Sequence, residues 1–139
     1  MVSSARAASG AGNASNPILA PCPDKPNCVS SQARDKAHAV APLNLTTTPA
    51  DAIQRLRQII DAMPLTRVVA TTDDYLHVEF TSALLRFVDD VEFRVDVDAG
   101  VIHVRSASRV GHYDFGVNRR RVEAIRDAFE RGSARGASP

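Results

Sequence analysis

The sequence predicts an α+β domain: a four-stranded antiparallel meander with two helices on one face, in the order α-β-β-β-β-α. Three observations predict it. Segments 48–63 and 118–131 repeat apolar residues at helical spacing. Four runs between residues 66 and 107 are β-branched or alternate with period two. Short turn-forming stretches join those runs, which favours hairpins over crossovers.

The first helix starts at Thr48-Pro49-Ala50-Asp51. Thr48 can cap, Pro49 suits the first helical position, and Asp51 stands at the third. Ile53, Leu56, Ile59, Ile60 and Met63 form its apolar stripe, and Pro64 ends the pattern. Thr66–Thr71 is a β-branched run turned by Asp73-Asp74. Tyr75–Thr81 alternates, with Leu76, Val78 and Phe80 on one face. Asp90–Asp98 alternates again, with Val91, Phe93, Val95 and Val97 inward. Asp98-Ala99-Gly100 makes a short hairpin, and Val101–Ala107 returns. The last helix spans about Asn118 to Arg131, with Asn118 as cap, Val122, Ile125 and Phe129 as its stripe, and Gly132 just past its end. The sheet face away from the helices is expected to carry Tyr75, His77, Glu79, Glu92, Arg94, Asp96, His103 and Arg105. Residues 1–16 (MVSSARAASGAGNASN) hold little to bury and read as a disordered leader. Residues 17–131 read as the single domain and 132–139 as a disordered tail.

A chain of 139 residues suits one domain, which buries about two-thirds of its surface without a metal or disulfide. Seventeen Lys and Arg against sixteen Asp and Glu leave a formal charge of +1. That balance argues against a globally basic nucleic-acid binder. No apolar run is long enough to span a bilayer. No secretory apolar stretch is legible either, so the default compartment is the cytoplasm, with the question left open.

The near-neutral total conceals two opposed segments. Residues 89–98 hold Asp89, Asp90, Glu92, Asp96 and Asp98 against Arg94, net −4. Residues 105–121 hold Arg105, Arg109, Arg119, Arg120 and Arg121 against Asp114, net +4. The hairpin makes them neighbours. Arg119-Arg120-Arg121 in a first helical turn oppose the helix dipole, so pairing with Asp89, Asp90 or Asp114, or an anion, is expected to offset them. Arg105 and Arg109 fall on one side of an extended segment, about 13 Å apart, with Ser106 and Ser108 between them. Guanidinium and hydroxyl groups are good donors to phosphate or carboxylate. The segment lacks the GxxxxGK[ST] pattern of a phosphate-binding loop.

Cys22 and Cys28 bracket two prolines and an asparagine, a spacing that permits a small disulfide loop. As a free thiol, Cys28 would need a base, and His38 is nearest in sequence. His38, His77, His103 and His112 show no metal-ligand spacing, so no metal site is expected. Ser30 and Ser31 lack the GxSxG elbow of a hydrolase.

Together these segments resemble the domain of unknown function 1499 family. The resemblance rests on CPDKPNCVSS (Cys22–Ser31), His-Ala-Val-Ala-Pro (His38–Pro42), RFVDDVEF (Arg86–Phe93) and RSASRVGHYDFGVNRRRVEAIR (Arg105–Arg126), and covers roughly residues 20–131. It brings no established activity. Its motifs concentrate on the polar residues that the charge pattern selects: Asp89, Asp90, Arg105, Ser106, Ser108, Arg109, Asp114, Asn118 and Arg121.

The leading expectation is a small binding or accessory domain that takes an anionic small molecule or an acidic partner. Arg105, Ser106, Ser108, Arg109, Asn118 and Arg121 would bind it, with Asp89, Asp90 and Asp114 as internal acidic partners. No cofactor is implied. One alternative is an enzyme with Cys28 as nucleophile, or with Asp89 and Asp90 as acid–base groups. Another is a structural interaction module that works through a sheet face or edge strand.

Overall fold

Eight elements make up residues 17–137, which the computed structural model describes. They are β1 (Cys28–Ser30), β2 (Leu43–Asn44), α1 (Pro49–Asp61), β3 (Thr66–Thr71), β4 (Tyr75–Thr81), β5 (Val88–Asp96), β6 (Val101–Ser108) and α2 (Val117–Ala137). The expected leader, residues 1–16, lies outside the described residues.

Strands β3 to β6 form the expected antiparallel meander. The sheet has six strands rather than four, because β1 and β2 both pair antiparallel with the far side of β6. Cys28 faces Ala107, Ser30 faces Arg105, and Leu43 faces Ile102. Strands of three and two residues are too short to display an alternation. They exist because β6 offers them a row of unpaired backbone groups, and covering that row removes an exposed edge. The opposite edge, β3, carries a register shift between Val68 and Ala70, which also blunts it.

Helix α1 begins as its sequence requires, with the Thr48 hydroxyl accepting from the Asp51 amide at 3.2 Å. Ile53, Leu56 and Ile60 bury its stripe against Leu76, Val78, Phe93 and Val104 of the sheet. Val122, Ile125 and Phe129 of α2 complete that core, each 1% exposed. Val97, expected inside, is exposed because β5 stops at Asp96. There the Asp96 carboxylate accepts from the Ala99 amide and Gly100 takes a left-handed conformation (φ 69°) to close the hairpin. Helix α2 carries on through Ala137 instead of ending at Arg131. Gly132 adopts no left-handed capping conformation, and its cost inside a helix, about 1 kcal/mol relative to alanine, does not stop the helix.

The face away from the helices carries the expected polar set, but it is nearly closed to solvent. Tyr75, His77, Glu92 and Arg94 are each 9% exposed or less. Lateral pairing produces this: the Arg94 guanidinium lies 4.3 Å from the Tyr75 ring centroid, and the Tyr75 hydroxyl donates to Glu92.

Candidate functional site

Period two divides the sequence-selected residues between the two faces of the sheet. Ser106, Ser108 and Asp89 turn toward the helices. Arg105, Arg109 and Asp90 turn away from them. Adjacent in sequence, Asp89 and Asp90 cannot form one acid–base pair, because successive strand residues point to opposite faces.

The helix-side group centres on Asn118, which is fully buried. Asn118 Oδ1 accepts from the Ser106 hydroxyl at 2.6 Å and from Arg121 Nη1 at 2.8 Å. Its Nδ2 is shared among the Asn27 carbonyl (3.1 Å), Ser108 Oγ (3.0 Å) and Asp114 Oδ2 (2.8 Å). Arg121 Nη2 reaches Asp89 Oδ2 at 2.8 Å, and its guanidinium covers the Phe80 ring at 4.7 Å. Both partners of that ion pair have side chains only 12% exposed. Asn118 was expected to cap α2. Instead it sits inside the first turn, and the capping falls to Asp114, whose carboxylate accepts from the Gly116 and Asn118 amides. This satisfies free N–H groups and puts negative charge at the positive end of the helix. Burial pushes the Asp114 carboxyl up, but hydrogen bonds from Asn118 and Gly116 outweigh it and hold the group below its ordinary value.

On the outer face, Arg109 makes a two-pronged contact with Asp90, Nε to Oδ2 at 2.7 Å and Nη2 to Oδ1 at 2.9 Å. Arg109 Nη2 also donates to Glu79 at 2.5 Å. Arg67 donates to the other Glu79 oxygen, and His77 Nε2 stands 2.8 Å from Asp90 Oδ1. The result is one chain, Arg67–Glu79–Arg109–Asp90–His77. Burial works to raise the Asp90 carboxyl, yet the His77 and Arg109 hydrogen bonds keep it far below the usual carboxylate range. The same bonds, from Asp90 first and then Glu79, push the Arg109 guanidinium above its ordinary value.

Arg105 stands apart from both groups. Its Nη2 donates to the Pro21 carbonyl at 3.4 Å, and its nearest carboxylate, Glu92, is 3.8 Å away. Buried Arg105 Nε and Glu92 Oε1 both lack a hydrogen-bond partner among the described residues. Burial raises the Glu92 carboxyl above its ordinary value, against the Tyr75 hydrogen bond, which lowers it.

Three adjacent arginines open α2, and each has a different occupation. Arg119 donates to the Ala39 and Ala37 carbonyls, Arg120 to the Phe115 carbonyl, and Arg121 to Asp89. Arg126, seven residues past Arg119, holds the Pro42 and Ala41 carbonyls. Thus the helix staples the extended 37–42 segment through its backbone. Gly116 (φ 79°) permits the bend before α2, and a Cβ there would stand 2.9 Å from Arg120 Nη1.

Cys22 and Cys28 are bonded to each other, with Cα atoms 5.7 Å apart. Cys28 is therefore no free thiol, and the nucleophilic reading of this residue is corrected: its sulfur is spent on Cys22 and the residue is 1% exposed. His38, the supposed base, contacts Asp35 Oδ2 at 2.5 Å and the Lys25 carbonyl at 2.8 Å. With an acceptor on each ring nitrogen, the Lys25 carbonyl first and Asp35 second, the imidazole is held above its ordinary pKa. The disulfide loop also presents Asn27, whose amide donates to the Gly111 carbonyl at 2.8 Å and whose own carbonyl accepts from the Ser108 amide. Thereby the loop fixes the connection between β6 and α2.

One relay escapes a reading of motifs. Ser31 Oγ lies 3.2 Å from His103 Nδ1, and His103 Nε2 lies 3.3 Å from Asp96 Oδ2. The same Ser31 oxygen accepts from the Val104 amide at 2.8 Å, which ties the turn after β1 to β6. Seventy-two residues separate Ser31 from His103, so no spacing signal could have found the contact. Among the described residues, no group of three His, Cys, Asp or Glu side chains could hold a metal. An open groove of about 510 Å³ lies elsewhere, between α1 and the β3–β4 turn, lined by residues including Ile53, Gln54, Arg57, Asp61, Thr72 and Asp73.

Residues 18–129 match the family described as protein of unknown function (DUF1499). No curated protein and no solved structure matches the chain.

Proposed function

Since this chain belongs to the DUF1499 family, a family of unknown function, we propose that it is an accessory module that works by binding rather than by catalysis. The observation that carries this reading is the internal occupation of its reactive groups. Asp89 is held by Arg121, Asp90 by Arg109 and His77, and Cys28 by Cys22. A general acid or base must be reachable by substrate, and a nucleophile must be free. The disulfide further supports an oxidising compartment as the working environment, against the cytoplasmic default, because cytosolic thiols are kept reduced. No helix among the described residues is long and apolar enough to cross a membrane.

The test uses the full chain with its disulfide intact, treated with a fluorophosphonate and with iodoacetamide, and read by intact mass. Absence of adducts is expected. Labelling of Ser31 or Cys28 in the native protein would overturn the non-catalytic reading.

One observation favours a second, narrower reading, an anion bound beside Arg105. Among the described residues, this guanidinium has no carboxylate within hydrogen-bond distance, and its Nε is unpartnered. In that reading Arg105 contributes the attraction, and Arg109, on the same face, would have to exchange Asp90 for the ligand, while Arg121 stays with Asp89 on the other face. Ser106, Ser108 and Asn118, on the helix side of the sheet, take no part in it. Thermal melts in increasing sulfate and inorganic phosphate test it. Stabilisation that Arg105→Ala and Arg109→Ala both abolish supports the anion site, and stabilisation unchanged by either variant refutes it.

A further inference from the structure

We propose that the end of the sheet formed by the β4–β5 and β6–α2 loops is a docking surface for an anionic phospholipid bilayer. The inference rests on the accessory-module reading, to which it adds the partner.

Six large apolar residues occupy this end. Leu84 is 88% exposed, Phe115 85%, Tyr113 71%, Leu85 63%, Val110 56% and Phe87 51%. Single exposed apolar residues are ordinary, but a cluster of this size marks an interaction surface. The two loops are neighbours: Asp89 faces Ser108 across the ladder, and the Arg109 amide donates to the Val88 carbonyl at 3.1 Å. Tyr113 and Phe115 stack with ring centroids 6.4 Å apart.

Backbone conformation provides an independent observation. Among the described residues, the non-glycine positions with positive φ are Leu65 (58°), Arg86 (60°) and Phe115 (53°), and all three stand in loops at this one end. A left-handed conformation is disfavoured for such side chains. Residues kept this way cluster where function demands a fixed shape. Three hydrogen bonds close the 82–87 loop at its base. The Ser82 amide donates to the Phe87 carbonyl, the Arg86 amide to the Ser82 carbonyl, and the Phe87 amide to Ser82 Oγ.

Charge selects the occupant. Acidic groups near this end are neutralised internally: Asp89 by Arg121, Asp90 by Arg109, and Asp114 by the first turn of α2. Arg86, at the tip of its loop, and Arg120, just behind Phe115, remain exposed. Apolar and aromatic tips with arginines beside them suit the boundary between acyl chains and anionic headgroups. A lipid surface moulds to adjacent projecting tips of this kind.

Co-sedimentation tests the proposal, using the full chain, vesicles of phosphatidylcholine alone, and vesicles of equal parts phosphatidylcholine and phosphatidylglycerol. Binding is expected on the mixed vesicles, weaker on phosphatidylcholine, and weakened by salt. The double variant Leu84→Asp/Phe115→Asp is expected to lose more than tenfold in affinity. Aspartate tolerates the left-handed conformation of residue 115 better than phenylalanine does, so folding is preserved, as an unchanged thermal melt would verify. Arg86→Gln is expected to lose about fivefold on mixed vesicles and nothing on phosphatidylcholine. Absence of wild-type binding to either vesicle overturns the proposal, as does binding that the double variant retains. A wild-type dimer that the double variant dissolves, with vesicles left unbound, would assign the surface to self-association and equally overturn it. None of these failures touches the probe experiment on Ser31 and Cys28, so the accessory-module reading stands or falls separately.

Discussion

Replacing Asp89 by asparagine is expected to cost about 3 kcal/mol of folding stability. The ion pair with Arg121 spans 2.8 Å between side chains that are each 12% exposed. Breaking a buried pair leaves an uncompensated charge, at about 3–5 kcal/mol. Arg121 keeps two acceptors, Asn118 Oδ1 and Ser106 Oγ, and the face of Phe80, which holds the cost at the lower end of that range. Arg121→Met strands the carboxylate instead and is expected to cost a similar amount. The double variant should then be less destabilised than the two singles together by about 2 kcal/mol, because the second change removes a charge that the first has already stranded. Urea unfolding of the four proteins, disulfide intact, measures the coupling. Singles costing under about 1 kcal/mol, and additive within about 0.5, would mean that the pair is weak and that the guanidinium is available to a ligand.

Three further outcomes follow from the same geometry. Reducing the Cys22–Cys28 disulfide is expected to cost about 2 kcal/mol for so short a loop, and to speed hydrogen exchange at the Ser108 amide, which Asn27 holds; protection unchanged by reduction would refute the role given to this loop. The raised pKa of His38 gives a stabilisation fully present below its unfolded value of about 6.5 and lost as pH rises through the folded value, so the melting temperature of wild type relative to His38→Gln should fall across that window; a pH-independent difference would refute it. For Glu92, also raised, the neutral form is the one that folding favours, so Glu92→Gln should melt above wild type at neutral pH, with the gap closing below the unfolded glutamate value; a lower melting temperature at neutral pH would show the charge to be stabilising.

Strong local physics made much of the fold legible. Thr48, Pro49 and the Ile53–Leu56–Ile60 stripe specify α1 without help from elsewhere, and the alternation from Tyr75 to Thr81 fixes which face is core. The small strands β1 and β2 were not legible, because their reason for existing is the free edge of β6. The charge pattern correctly brought the −4 and +4 segments together, as Arg109–Asp90 and Arg121–Asp89 show. What it missed was their division. Arg105 and Ser106 are neighbours in sequence and reach opposite sides of the sheet. Period two sends successive strand residues to opposite faces, so 105–121 cannot act as a single cluster. Arg119 and Arg126 were invisible as staples, since they recognise backbone carbonyls of residues 37–42, which carry no side-chain signature.

The quoted motifs are explained by contact with one another more than by contact with anything outside. Asn27 of the cysteine loop holds Gly111 and Asn118, Ser31 holds Val104, and Arg119 reaches back to Ala37 and Ala39. The Asn27 and Arg119 ties flank the β6–α2 loop, whose tip carries Tyr113 and Phe115. A non-glycine residue in the left-handed region costs about 1–3 kcal/mol and persists only where its surroundings over-determine it. Asp114 bonded to two amides, the disulfide-anchored Asn27 and the Arg120–Phe115 contact supply that determination around Phe115. A polar network serving only the core would have no reason to fix an aromatic residue that is 85% exposed. The network is better understood as the foundation of a rigid apolar tip, made ready before it meets a surface, so that binding loses little further conformational entropy.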